Sequence, residues 1–333
     1  MKLPLISKKS DQAAASVGVL GVAMTGKMLF DLVREVSFDD IKDEANRPPS
    51  LLVMATTNDE AEQFARLLTG EGNPIGVGTG TIDKQIWNAT SYDAIVVHDP
   101  LSTGAAARLN VSVPEGVTAP IVVESTLPFD ADEAERVRQR LSDRLDERAV
   151  AFGRHFAAMR PAIISRIITD ASTGNAQFAL IANIPALIPV VGGFLSAGAD
   201  MILLTKNQLM MVYKIAAASG RELDDHQAIL KEMTPVVGAG FLWRTIAREA
   251  VSFLPLAAGT IPKVAIAFTG TFALGRAAEL FYRFGKKPTD EQRAEFYAQA
   301  REMLARLPFG KKTQDEVAED VTETIESETA PAA

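Results

Sequence analysis

Residues 170–200 read DASTGNAQFALIANIPALIPVVGGFLSAGAD, and no charged side chain stands between Asp170 and Asp200. The 29 residues between them (171–199) are enough for a helix to cross a hydrocarbon core of about 30 Å at about 1.5 Å per residue. Pro185, Pro189, Gly192 and Gly193 lie inside the run, so a straight helix is disfavoured and a kinked span or helical hairpin is expected. A second stretch repeats this character. Ala250 to Pro262 and Val264 to Gly275 are uncharged, split by Lys263 and broken at Pro255 and Pro262, and each half is too short to span alone. Together they predict a hydrophobic, proline-broken helical domain over 175–310, inserted in a membrane or lying against it.

The polar residues of this domain are its handles. A carboxylate at the end of a long apolar run is costly without a partner or a wet pocket, which singles out Asp200. On a helix Ser196, Asp200, Asn207, Met211 and Lys214 fall along one face. Asp200, Asn207, Gln208, Arg244, Arg248 and Lys263 are the candidates for a polar network. One reading is a proton or ion relay or a lipid headgroup contact; the other is a buried network with Asp200 paired to Arg244, Arg248 or Lys263. Gly192, Ser196, Gly238 and Gly240 would let helix backbones approach closely. Pro189, Gly193 and Thr205 recur as Pro255, Gly259 and Thr271 at one offset of 66 positions, a short repeat.

Working outward, the chain turns α/β. Ser37 with Asp40, and Phe38, Ile41 and Ala45 on one side, predict a capped helix ending before Pro48 and Pro49. Leu51 to Ala55 is an apolar run, followed at once by a capping box, Thr57 with Glu60, opening a helix through Leu68. Asp93 to His98 and Ala119 to Glu124 repeat the strand pattern, and three strands with helices between them predict a small parallel sheet. Asp130 caps a helix whose acids and arginines alternate as on a solvated surface, and Pro161 suits a helical first turn. The expected class is α/β plus all-α: an N-terminal helical segment (1–46), a degenerate P-loop or Rossmann-like α/β domain (47–130), connecting helices (131–174), the hydrophobic domain (175–310) and an acidic disordered tail (311–333).

Composition closes several routes. The chain has no cysteine, which excludes disulfides, thiolate metal sites and cysteine nucleophiles. Its net charge of -8 is concentrated in the tail, where seven acids and no base follow Thr313. The remainder is close to neutral and offers no basic footprint for nucleic acid. The weakly apolar run from Ala13 to Gly26 has no small-residue cleavage site, so no signal peptide and a cytoplasmic N-terminus are expected.

No recognisable catalytic centre is assembled. Gly21, Gly26 and Lys27 have the spacing of a phosphate-binding loop, but Met28 follows where a magnesium-binding Ser or Thr belongs. The turn after the first strand, Thr56 to Glu60, lacks a glycine cradle and a lysine, and its carboxylates would repel phosphate. Neither Asp-x-x-Gly nor Asn-Lys-x-Asp occurs. Of the histidines, only His98, beside Asp99 at a strand end, sits where α/β sites usually lie, without metal-ligand spacing around it.

The string Asn175-Ala-Gln-Phe178, Ile184-Pro185, Pro189-Val-Val-Gly192, Gly198-Ala-Asp200, Thr205-Lys-Asn-Gln208 and Ile215-Ala216 up to Gly220 resembles the bacterial domain of unknown function 697, also called YcjF-like. Val236-Val-Gly238, Trp243-Arg244, Pro262-Lys-Val264, Gly270-Thr271 and Gly275-Arg-Ala-Ala278 continue the resemblance, which covers about a third of the chain. It implies a membrane protein lying behind a GTPase-like domain, and 34–127 is similar to such a domain without its phosphate loop, switch aspartate or guanine-selecting motif. The implied protein is a non-catalytic scaffold or adaptor at the cytoplasmic face of a bacterial inner membrane. Membrane lipid is its expected partner, with a GTPase or a second copy as a possible protein partner, and no cofactor is expected. The alternatives are a soluble helical interaction module and a divergent nucleotide hydrolase using Lys27.

Overall fold

The computed structural model describes residues 38–70, 75–83, 89–109, 118–128, 130–181, 197–225, 228–229, 231–232 and 260–307, and for 180–181, 197–202 and 260–263 it describes the backbone alone. The α/β part comprises α1 (Asp39–Asn46), β1 (Leu51–Ala55), α2 (Asn58–Thr69), β2 (Val77–Thr81), β3 (Ala94–His98), α3 (Ala105–Arg108), β4 (Ile121–Ser125) and α4 (Ala131–Ser142). The helical part follows with α5 (Ala149–His155), α6 (Arg160–Ile181), α7 (Ala197–Ala218), α8 (Thr260–Phe284) and α9 (Asp290–Arg306).

All four strands are parallel, in the order β2-β1-β3-β4. β1 and β3 are buried along their whole length, as central strands covered on both faces must be. Leu51, Val53, Ala94, Val96 and Val123 face Phe64 and Leu68 of α2 and Val137 and Leu141 of α4. Leu52, Met54, Ile95 and Val97 form a smaller cluster with Ala105 on the opposite face.

The local signals in the sequence correspond to real caps. Thr57 accepts from the Glu60 backbone N–H while Glu60 accepts from Thr57, a complete capping box, and Asp130 accepts from Glu133 N–H. Three expectations need correction. β2 is a fourth strand where three were expected; Val-Gly-Thr-Gly-Thr carries too little apolar side chain to read as a strand, because an edge position demands little burial. Phe38 rather than Ser37 occupies the N-cap position of α1, without a side-chain cap; its ring is buried 4.4 Å from that of Tyr213. Glu133, placed on a solvated surface by its neighbours in sequence, is 1 % exposed.

The helical part is a bundle built on α6. Asn175 meets Leu204 and Asn207 while Arg160 meets Ala218, so α6 and α7 are antiparallel. Asn175 meets Thr271, and Ile168 lies where a side chain on Gly275 would go, so α8 is antiparallel to α6 and parallel to α7. The α6–α8 pair is close because position 275 has no side chain: a Cβ there would sit 2.7 Å from Ile168 Cγ1 and 3.1 Å from Met211 Sδ. α7 ends where Gly220 takes φ of 87° and the N–H groups of Gly220 and Arg221 return to the carbonyls of Ala217 and Ala216, the usual glycine stop. The guanidinium of Arg160 donates to the carbonyls of Ala218 and Gly153, and that of Arg154 to Arg221, serving carbonyls that the helix ends leave open.

A single apolar cluster runs from Val53 and Val96 in the sheet through Phe152 and Ile168 to Phe268 and Ala300. The bundle therefore shares its core with the α/β part. α1 fastens this joint from outside through the ion pair of Lys42 with Asp224 at 2.6 Å.

Candidate functional site

Among the described residues, polar side chains gather in three places. The first is a seam inside the bundle. The Asn175 amide donates to Thr271 Oγ1 at 2.8 Å, and Gln208 donates to the same oxygen at 3.0 Å. Asn207 donates to Asn175 Oδ1 at 2.7 Å and to the Ala171 carbonyl at 3.1 Å. Asn175 and Thr271 are buried, and the four side chains join α6, α7 and α8. Each apolar helix thus contributes a polar group that the other two satisfy, which rewards one register and penalises slippage.

The seam is neutral and holds no nucleophile, no general base and no carboxylate to bind a metal. Two of the six predicted network residues, Asn207 and Gln208, are in it. Asp200 and Lys263 lie at helical positions whose side chains are outside the described residues, as are Arg244 and Arg248 altogether. Gly192, Ser196, Gly238, Gly240, the loop at Lys27 and the acidic tail also lie outside them. The two buried members, Asn175 and Thr271, were absent from the predicted network, although both belong to the string that carries the family resemblance. An asparagine and a threonine in an apolar helix become informative only when seen to face each other.

The second place is a cavity of about 240 Å³ beside the seam, lined by Glu44, Arg166, Asp170, Asn207, Met211 and Lys214 among others. The predicted stripe is realised here in part, since Asn207, Met211 and Lys214 share this wall. Burial pushes the Glu44 carboxyl up to about 7, against the hydrogen bond it accepts from Val150 N–H and the charge of Lys214. The cavity mixes both signs of charge with thioethers and sits at the joint between the two parts of the fold.

The third place is the carboxyl end of the sheet, where ligands bind in open α/β folds. Ser125 Oγ donates to Glu133 Oε1 at 2.7 Å, and His98 Nδ1 lies 3.3 Å from the same hydroxyl. Because the hydroxyl proton is committed to Glu133, His98 Nδ1 is the donor in that contact. Burial holds the His98 pKa below its ordinary value, with Glu60, Glu133 and Asp99 opposing. Burial also pushes Glu133 upward, but the Ser125 bond, Arg136 and Arg140 outweigh it and keep the carboxyl below the usual range. Backbone N–H groups of the following loop, Thr103 foremost, hold Asp99 low against burial. Ser125 and Glu133 are each 1 % exposed, and Glu133 is also paired with Arg136 and Arg140, so the hydroxyl is enclosed within the protein and the cluster braces β3, β4 and α4.

Glu60 and Asp99 lie at this end beside Glu133, whose charge Arg136 and Arg140 balance, and the α2 N-terminus is filled by its own capping box. No group of three or more metal-ligating side chains occurs among the described residues. The chain matches no family model, no curated protein and no solved structure.

Proposed function

We propose that this protein is a non-catalytic, membrane-associated scaffold: a nucleotide-free, GTPase-like α/β head remains in water while the bundle meets lipid at one end. The observation that carries the reading is the polarity of the bundle. The end of α6 at Ile181, the start of α7 at Ala197 and the start of α8 at Thr260 lie at one end, given the antiparallel packing above. The sequence joining α6 to α7, 182–196, has no charge, and that leading into α8 is uncharged over 250–262. Arg154, Arg160, Arg221, Arg283, Lys286 and Lys287 occupy the opposite end, near the head. Asp200 and Lys263, in the first turns of α7 and α8, are at the apolar end, against six basic residues at the other, an imbalance in the sense of proteins that hold their basic side in the cytoplasm.

The four-stranded parallel sheet supports a GTPase-like ancestry for the head. Among the described residues the carboxyl end of the sheet offers no lysine and no glycine cradle, and its α2 N-terminus is occupied by Glu60, which supports the absence of nucleotide. The resemblance to the YcjF-like domain points to the cytoplasmic face of a bacterial inner membrane. Alkaline carbonate extraction tests the reading: the protein should stay with the membrane pellet, and full release would overturn it. Calorimetric titration with GTP and with ATP, each with magnesium, should give no heat; binding would instead favour the hydrolase reading through Lys27.

A second reading, a soluble helical interaction module, is favoured by one observation. Val264–Phe284 is long and apolar enough to span a membrane, yet 72 % of its window is buried inside the protein, as in a soluble core helix. A discrete, compact species in detergent-free gel filtration would select this reading.

A further inference from the structure

The two edges of the sheet are finished differently. In β4 the bonds Ile121 N–H to Asp93 O and Asp99 N–H to Ser125 O turn residues 121, 123 and 125 toward β3, so the carbonyls of Val122 and Glu124 point outward. Arg144 donates to Val122 O and Arg140 to Glu124 O, each at 2.6 Å. Two guanidinium groups, from the last turn of α4 and from the residues just after it, thus cover this edge with positive charge, a common protection against strand addition.

Among the described residues, β2 has no such cover. Leu51 N–H bonds to Gly76 O at 2.8 Å and Ile82 N–H to Ala55 O at 2.9 Å, which turns Gly76, Gly78, Gly80 and Ile82 toward β1. The backbone N–H and C=O groups of Val77, Thr79 and Thr81 therefore point away from the sheet, and they make no hydrogen bond with any described residue. No charge and no proline occurs from Ile75 to Ile82. Ile75, at the entry to the strand, is 83 % exposed, and nothing lies within 4 Å of where a side chain on Gly80 would stand.

We propose that β2 pairs with β2 of a second copy of this chain, antiparallel about a two-fold axis at Thr79, to join the two sheets into one. The two-fold puts Thr79 opposite Thr79 and Val77 opposite Thr81, each pair exchanging both of its backbone hydrogen bonds. All three are β-branched residues suited to cross-strand pairs. An isologous contact brings each residue near its own copy, so any charge at the axis would repel itself. β2 is neutral throughout, whereas β4 presents arginines that would face arginines. On the far face β2 itself carries only glycines between the pairing residues: Gly80 opens onto free space, while Tyr92 lies over Gly78.

The proposal is independent of the membrane reading, and the same experiment serves in buffer or in detergent micelles. Sedimentation velocity of the full chain should show a dimer. Thr79→Lys and Thr79→Glu should each give monomers, because like charges meet at the axis, and an equimolar mixture of the two should restore the dimer. A dimer that persists in both single variants, or a wild-type monomer, would overturn the proposal. Thr79→Cys supplies a near-isosteric check should a charged variant misfold. The chain has no other cysteine, and a hydrogen-bonded antiparallel pair places Cα atoms about 5.5 Å apart, within disulfide reach. Mild oxidation should cross-link Thr79→Cys and leave Leu101→Cys, exposed on a loop at the carboxyl end of the sheet, uncross-linked; failure at position 79 would count equally against it.

Discussion

Asn175 donates a hydrogen bond to Thr271 across 2.8 Å, between residues 96 positions apart, in the interior of a largely apolar bundle. Thr271 also accepts from Gln208, and Asn175 accepts from Asn207, so the contact is the centre of a three-helix seam. Removing Asn175 or Thr271, the two buried members, leaves the other without its interior partner.

Asn175→Ala should therefore lower stability by about 2–3 kcal/mol, at the upper part of the range for leaving buried partners unsatisfied. Thr271→Val, which keeps the shape, should cost about 1–2 kcal/mol. Denaturant titration of the single and double variants should show coupling: the double variant loses less than the sum, because the second substitution removes a group already orphaned. Additive losses would mean that the two side chains act separately.

Gly275→Ala sets two effects against each other. The helix gains about 1 kcal/mol from alanine's propensity, while a methyl group 2.7 Å from Ile168 Cγ1 carries an overpacking cost of about 1–3 kcal/mol. A net loss of about 1 kcal/mol is expected by thermal or denaturant unfolding, partly relieved when Ile168→Ala is added. A stabilised single variant would show that α6 and α8 can separate without cost.

Glu44 sets a pH dependence. Its carboxyl titrates at about 7 in the folded protein and near 4.3 in an unfolded chain, so the folded state binds more protons between those values. Stability should then be greatest on the acid side, fall as pH rises through this window and level off above about 7. Solvent screening at this half-exposed side chain reduces the slope below about 1.4 kcal/mol per pH unit. Glu44→Gln should flatten this fall, since the amide oxygen can still accept from Val150. An unchanged pH profile of the unfolding midpoint would remove Glu44 from the account.

His98 works in the opposite sense. With its folded pKa held low by burial, stability is lost as pH falls from the ordinary histidine range toward the folded value. Ser125→Ala removes its hydroxyl partner and one donor to Glu133, and should cost about 1–3 kcal/mol. Proton NMR of the His98 ring should show a changed pKa in that variant; an unmoved titration would separate the histidine from the brace.

The sequence by itself determined what depends on neighbours within a turn or two. The capping box at Thr57 and Glu60, the cap at Asp130, the strand cores of β1 and β3 and the apolar character of the later helices are all set by residues a few positions apart. Tertiary structure alone decided what depends on distant partners. Val77–Thr81 is a strand because Leu51–Ala55 offers it a ladder, not because its side chains demand one. Glu133 is buried because Ser125, Arg136 and Arg140 converge on it from a strand and from its own helix. Asn175 and Thr271 form a site because antiparallel packing of α6 and α8, allowed by the missing side chain at Gly275, brings them to one level. Side-chain chemistry is local and can be read along the chain, whereas burial and hydrogen-bond partnership are properties of a place in space that residues far apart create together.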